Sequence, residues 1–198
     1  MLDRNPQRKK LLREGLSSYL DAMMAVDEIT RMIQEDCRAV LERQMSPLQE
    51  ATGLTFSLKK IAEYSEPYKS RPKLWAGQYA WIGTEVPAVG SARIYSMDVG
   101  LAWNYENGAT STNVYSCFYT QQLSVLSELD SKIRKHSNAE FEIDKAHYGI
   151  ILWGEDAIGP DGEYDQEPLE RVVFEWISIW KKAGGVAKML SNGGSKKA

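Results

Sequence analysis

Asp98 is the residue whose placement most invites chemistry. It lies in a run where Tyr95, Met97, Val99, Leu101, Trp103 and Tyr105 take every other position, the alternation of a half-buried strand. A carboxylate in mid-strand is disfavoured, and a buried one must find a partner or give up its charge. Asn107-Gly108, a pair favoured in two-residue hairpin turns, precedes the return run from Thr112 to Tyr119. With Glu106 opposite Ala109, the pairing is fixed. One face sets Met97 against Phe118, Val99 against Ser116 and Leu101 against Val114. The other sets Ser96 against Tyr119, Asp98 against Cys117, Gly100 against Tyr115 and Ala102 against Asn113, so that an aromatic ring covers a cross-strand glycine. Asp98 either faces solvent, or a cation such as Arg93, or it floors a shallow pocket or contact patch. The candidate binding residues of such a patch are Asp98, Tyr115, Cys117, Tyr119 and Trp103.

Other constellations are sparse. Gly83 and Gly90 do not extend into a phosphate-cradling loop, and no Gly-x-Ser-x-Gly elbow is present. His136 ends an expected helix, where a cation suits the helix dipole. His147 begins an expected strand and is the remaining candidate general base. Neither stands at metal-ligand spacing from another strong ligand, and the acids around Gly162 do not fall where a helix-loop-helix calcium site needs them. No metal and no cofactor is expected. Cys37 and Cys117 are far apart, without a second pair to form a metal knuckle, and are expected to be buried thiols.

The expected order of elements resembles, in outline, the restriction-endonuclease-like fold. That resemblance implies Mg²⁺ held by an acid on one strand and an acid-x-Lys on the next. The nearby acid-x-Lys is Asp130-Ser131-Lys132, which falls in an expected helix, and Glu142-Ile143-Asp144-Lys145 has the wrong spacing. An active nuclease of that type would lack its metal lysine.

The elements that position these residues begin with a long helix. Leu12, Leu16, Tyr19, Met23, Val26, Thr30, Ile33, Cys37 and Val40 follow steps of four and three, a heptad seam sustained for about four repeats. Pro6 suits a first turn, and Ser46-Pro47 is expected to stop the helix. At 1.5 Å per residue such a helix outgrows a domain of this size. Leu12, Leu16, Tyr19, Met23 and Val26 are therefore candidate partner contacts, in a coiled coil with another protein or with a second copy. Leu11, Leu20, Ile29, Met32 and Leu41 widen the apolar stripe, as packing on the chain's own sheet requires.

Beyond the helix, Leu54, Phe56 and Leu58 alternate as a first strand, and Trp75 to Ile82 is a second. The hairpin follows, and then a helix on Leu123, Leu126, Leu129 and Ile133. A strand spans Ala139 to Trp153, interrupted near Asp144-Lys145. A final helix carries Leu169, Val172, Val173, Trp176, Ile177 and Trp180 and is stopped by Gly184-Gly185. This is an α+β chain in the order α-β-β-β-β-α-β-α, with helices on an antiparallel sheet of four to five strands. Its expected parts are a helix over 1–46, an α+β domain over 47–190 and a basic tail over 191–198.

The chain is 43% hydrophobic and 26% charged, which fits a folded globular protein. It has no apolar run near the roughly 18 residues a membrane span needs, and no signal-peptide pattern, so a cytoplasmic protein is expected. Net charge is −3, too small to draw nucleic acid in general, but the charges segregate. Arg4, Arg8, Lys9, Lys10 and Arg13 cluster at the start, whereas Glu155 to Glu170 holds seven acids and no base. The reading that unites these features is a non-catalytic protein-binding or regulatory protein of immunity, anti-defence or adaptor type. Its alternatives are a hydrolase or degenerate nuclease-like enzyme around Asp98, and a nucleic-acid binder using the basic start.

Overall fold

The computed structural model describes residues 6–58, 78–84, 95–106, 109–120, 123–145, 148–159 and 162–191. Helix α1 (Pro6–Thr52) leads into β1 (Phe56–Leu58), β2 (Gln78–Thr84), β3 (Ser96–Glu106) and β4 (Ala109–Tyr119). After these come α2 (Leu123–Ile133), β5 (Phe141–Asp144), β6 (Gly149–Asp156), α3 (Glu167–Ala183) and α4 (Val186–Ser191). The class is α+β, and every strand pair is antiparallel.

Among the described residues the sheet has six strands in the order β1-β2-β3-β4-β6-β5, one more than the upper expectation. The extra strand arises where the sequence breaks near Asp144-Lys145. There the chain reverses, and β5 and β6 pair with each other from Phe141 opposite Leu152 to Asp144 opposite Gly149. The β3–β4 hairpin has the register expected of a two-residue turn, from Glu106 opposite Ala109 to Ser96 opposite Tyr119.

Alternation sorts the sheet into two faces. Met97, Val99, Leu101, Val114, Phe118, Ile150 and Leu152 are buried in the core cluster with the helices. Trp176 and Trp180 of α3 stack at 5.9 Å between ring centroids and both meet Phe118, at 5.9 and 4.9 Å. The apolar stripe of α3 that the sequence displays is thus the stripe that covers the sheet. Gly184, at φ 76°, ends this helix in the left-handed conformation that a side chain resists.

Helix α1 does not stop at Ser46-Pro47 but continues to Thr52. Pro47 cannot donate the bond that its position would send to the carbonyl of Arg43, a cost of about 3 kcal/mol in a helix interior. Burial of Leu48 and Ala51 offsets much of this, since covering a leucine contributes roughly 1.5–3 kcal/mol. Thr52 Oγ1 donates to the carbonyl of Leu48, and the Gln49 side chain accepts from the N–H of Phe56 at 2.9 Å, which ties the helix end to β1.

The two halves of α1 differ. Ile33, Cys37, Val40, Leu41 and Leu48 lie in the core, whereas Leu12, Leu16, Leu20, Met24, Ile29 and Met32 are exposed. Packing on the chain's own body, which the widened stripe implies for at least part of the length, thus holds from Ile33 onward, with Leu41 buried, while Leu20, Ile29 and Met32 remain exposed. No helix among the described residues is long and apolar enough to cross a membrane.

Candidate functional site

The hairpin delivers Asp98 and Cys117 as opposed residues, and the pleat turns both away from the helices. Asp98 is only 5% exposed. Its Oδ1 accepts the backbone N–H of Cys117 at 3.1 Å, and its Oδ2 accepts the hydroxyl of Tyr119 at 2.9 Å. Asp98 thus does not face solvent, one of the expected states, but meets internal donors, and Arg93 lies outside the described residues.

Burial pushes the Asp98 carboxyl up to about 7, against the pull of the Tyr119 hydroxyl and the Cys117 N–H. It also raises the Cys117 thiol and the Tyr119 phenol well above their ordinary ranges, with the Asp98 charge adding to both. Cys117 is therefore held as a thiol, a poor nucleophile. Gly149 completes the packing: a Cβ there would stand 2.5 Å from Cys117 Sγ and 3.0 Å from the Tyr119 ring. The ring over a cross-strand glycine seen here is Tyr119 on Gly149, a pair that the sequence did not single out, and not the expected Tyr115 on Gly100.

Of the other residues expected on this face, Tyr115 turns to a different neighbour. Its ring lies 6.0 Å from that of Trp153, whose Nε1 donates to Glu142 at 3.0 Å. Asp98, Cys117 and Tyr119 form one cluster, and Tyr115 belongs to the next. The side chain of Trp103 lies outside the described residues, as does His147. Asp130 and Lys132 sit on α2, as expected, paired with Arg134 at 2.8 Å and Glu128 at 2.7 Å. Among the described residues no group of three His, Cys, Asp or Glu side chains is placed to hold a metal ion.

A second place emerges where α1 leaves the body. A groove of about 380 Å³ is lined by Ile29, Met32, Ile33 and Asp36 of α1 together with Leu101, Thr112, Ala157, Ile158 and Tyr164. The acidic loop forms its outer wall. Ile158 and Tyr164 bridge each other, the N–H of Asp165 donates to the carbonyl of Ala157 at 2.8 Å, and Tyr164 donates its hydroxyl to Asp36 at 3.0 Å. The described part of this loop is thus a hydrogen-bonded hairpin tied to the helix. Burial raises the Tyr164 phenol, and the Asp36 carboxylate raises it further, so it remains a donor.

No protein family, curated protein or solved structure matches the chain. Geometry then has to separate the two places. The Asp98 cluster has its hydrogen bonds satisfied internally and its carboxyl buried. The root groove and the helix that rises from it present apolar surface to water. The expected partner contacts Leu12 and Leu16 are exposed there; the side chains of Tyr19, Met23 and Val26 lie outside the described residues. Sequence reasoning missed the groove. Its signal was the presence of Ile158 and Tyr164 inside an otherwise acidic loop, with Ile29 and Met32 beside the seam.

Proposed function

We propose that the chain is a non-catalytic protein-binding protein of a regulatory kind, of immunity, anti-defence or adaptor type, working in the cytoplasm through the projecting part of α1. The observation that supports this is the exposure of Leu12, Leu16, Leu20 and Met24, at 61%, 58%, 50% and 70%, on a helix whose continuation is core. A lone helical arm is marginal in water, and most helices gain their stability by covering an apolar face. Four large apolar side chains within about three and a half turns make an expected site of protein contact. Cys37 and Cys117 are buried and not in a disulfide, which suits a reducing compartment.

The enzyme reading around Asp98 is weakened by the burial of its carboxyl, at 5% exposure, and by the internal donor that each of its oxygens already accepts. The nucleic-acid reading keeps only the basic start of α1 in its favour, and it predicts binding that weakens steeply with salt.

The test is the paired substitution Leu16→Asp with Leu20→Asp. Both positions are exposed, so the unfolding midpoint should stay close to that of the native chain, while association with its partner should be lost. If the native chain and this variant are equally monomeric, and both retain the same proteins from the host lysate, the reading is wrong.

A further inference from the structure

We infer that the partner of the projecting helix is a second copy of this chain, laid antiparallel, with its first helical turns seated at the root groove. This rests on the reading of α1 as a docking surface and names what docks there.

Three observations carry it. The first is phase. Leu12 and Leu16 continue, in heptad steps, the face that Ile33, Cys37 and Val40 bury in the body. A helix lying on that face points at the body, so one of its ends must meet the surface where α1 enters. That surface is the apolar groove of Ile29, Met32, Ile33, Ile158 and Tyr164.

The second is length. Overlapping the seam from Leu12 to Thr30 with its reversed copy spans about 27 Å at 1.5 Å per residue. It places Leu12 of each copy beside Ile29 and Ile33 of the other. The contact is self-complementary under a two-fold axis, so both grooves are filled at once.

The third is charge. Residues 7–13 hold Arg8, Lys9, Lys10 and Arg13 and no acid. Asp36 lines the groove, Glu163 and Asp165 are the chain neighbours of its Tyr164, and Glu28 and Glu35 lie on the same stretch of helix. Arg31, the nearest base on the helix, bonds to Glu28 and Glu35. Antiparallel pairing brings the basic start to this acidic end. Parallel pairing would set four bases against four bases and would crowd the two bodies at one end. Complementary ends of this kind are what fix orientation between helices.

The test uses the full chain, with solution mass measured against concentration and cysteine cross-linking under mild oxidation. The native cysteines are buried at 0% and 1% exposure. A mixture of Leu12→Cys and Ile29→Cys chains should form a cross-linked dimer that neither variant forms alone. Leu12→Asp should weaken the dimer about a hundredfold, as about tenfold at each of two symmetry-related contacts. High salt should weaken it as well.

A cross-link of Leu12→Cys to itself would mean parallel helices and would overturn the proposal. So would a native chain that stays monomeric at roughly 100 μM, a concentration at which a micromolar dimer is mostly associated. A monomer that binds a different protein through Leu16 and Leu20 would sink this inference and leave the broader docking reading intact.

Discussion

The clearest quantitative consequence of the structure concerns Asp98 and pH. Its carboxyl titrates near 7 in the folded chain, against an ordinary value of 3.8. Between those values the folded chain holds a proton that the unfolded chain has released. Stability should therefore fall as pH rises from about 4 to about 7, then level off once both states are ionised. At about 1.4 kcal/mol per pH unit the full window amounts to roughly 4 kcal/mol. With only 5% exposure, little of that is lost to solvent screening. Asp98→Asn isolates the effect. The amide oxygen keeps the bond from the Cys117 N–H, and the amide nitrogen donates to Tyr119 once that hydroxyl rotates. The assay is urea unfolding of both chains at about pH 5 and about pH 8. The stability difference between variant and native should move by roughly 2–4 kcal/mol in the variant's favour from the acidic to the basic condition. A difference that stays constant would show that Asp98 is ionised, with adequate solvation, throughout the range, and would refute the closed-cluster reasoning.

Four further outcomes follow from the same contacts. Tyr119→Phe removes the hydroxyl donor to Asp98, so it should cost about 1.5–3 kcal/mol at about pH 8, where the carboxylate is charged, and less at about pH 5; equal losses would exclude the charge-assisted bond. Gly149→Ala should cost about 1–3 kcal/mol by driving a methyl into Cys117 Sγ, and adding Cys117→Ala should return part of that loss, a coupling that calorimetry of the four chains can measure. Trp180 Nε1 is buried without an acceptor among the described residues, whereas Trp176 Nε1 reaches the Ser116 carbonyl at 3.4 Å. Trp180→Phe should therefore destabilise less than Trp176→Phe, and the opposite order in chemical denaturation would contradict the assignment. Tyr164→Phe releases the acidic hairpin from Asp36 and should raise amide exchange between Ile158 and Asp165 while lowering global stability by no more than about 1 kcal/mol; unchanged exchange would show that the backbone bonds alone hold the loop.

The hairpin was legible residue by residue because two independent signals agree there. Alternation from Tyr95 to Tyr105 selects the face, and Asn107-Gly108 selects the turn length, so no freedom remains in the pairing. The end of α1 was not legible, because a proline rule is local while the burial of Leu48 and Ala51 is not. The sixth strand was half visible: the break at Asp144-Lys145 shows in the sequence, but whether a break is a bulge or a reversal depends on which neighbour offers unpaired backbone. At the site, opposition of Asp98 and Cys117 follows from register, and closure of the carboxylate by Tyr119 does not. Tyr119 stands two residues from Cys117 on the same face, near enough to reach, yet propensity carries no information about which rotamer it takes.

The seam of α1 shows most sharply where sequence reasoning runs out. A single heptad register joins Leu12 and Leu16 to Ile33, Cys37 and Val40, so by pattern alone the whole length has one kind of face. In the fold Ile33, Cys37 and Val40 are buried under the body, whereas Leu12 and Leu16 are exposed. The same residue types in the same phase therefore divide into core and exposed surface according to where the sheet happens to stop. Under the antiparallel pairing proposed above, charge is what would distinguish the halves in advance: a seam serving only as core has no use for a basic start and acids farther along, whereas a seam that pairs with a reversed copy of itself would.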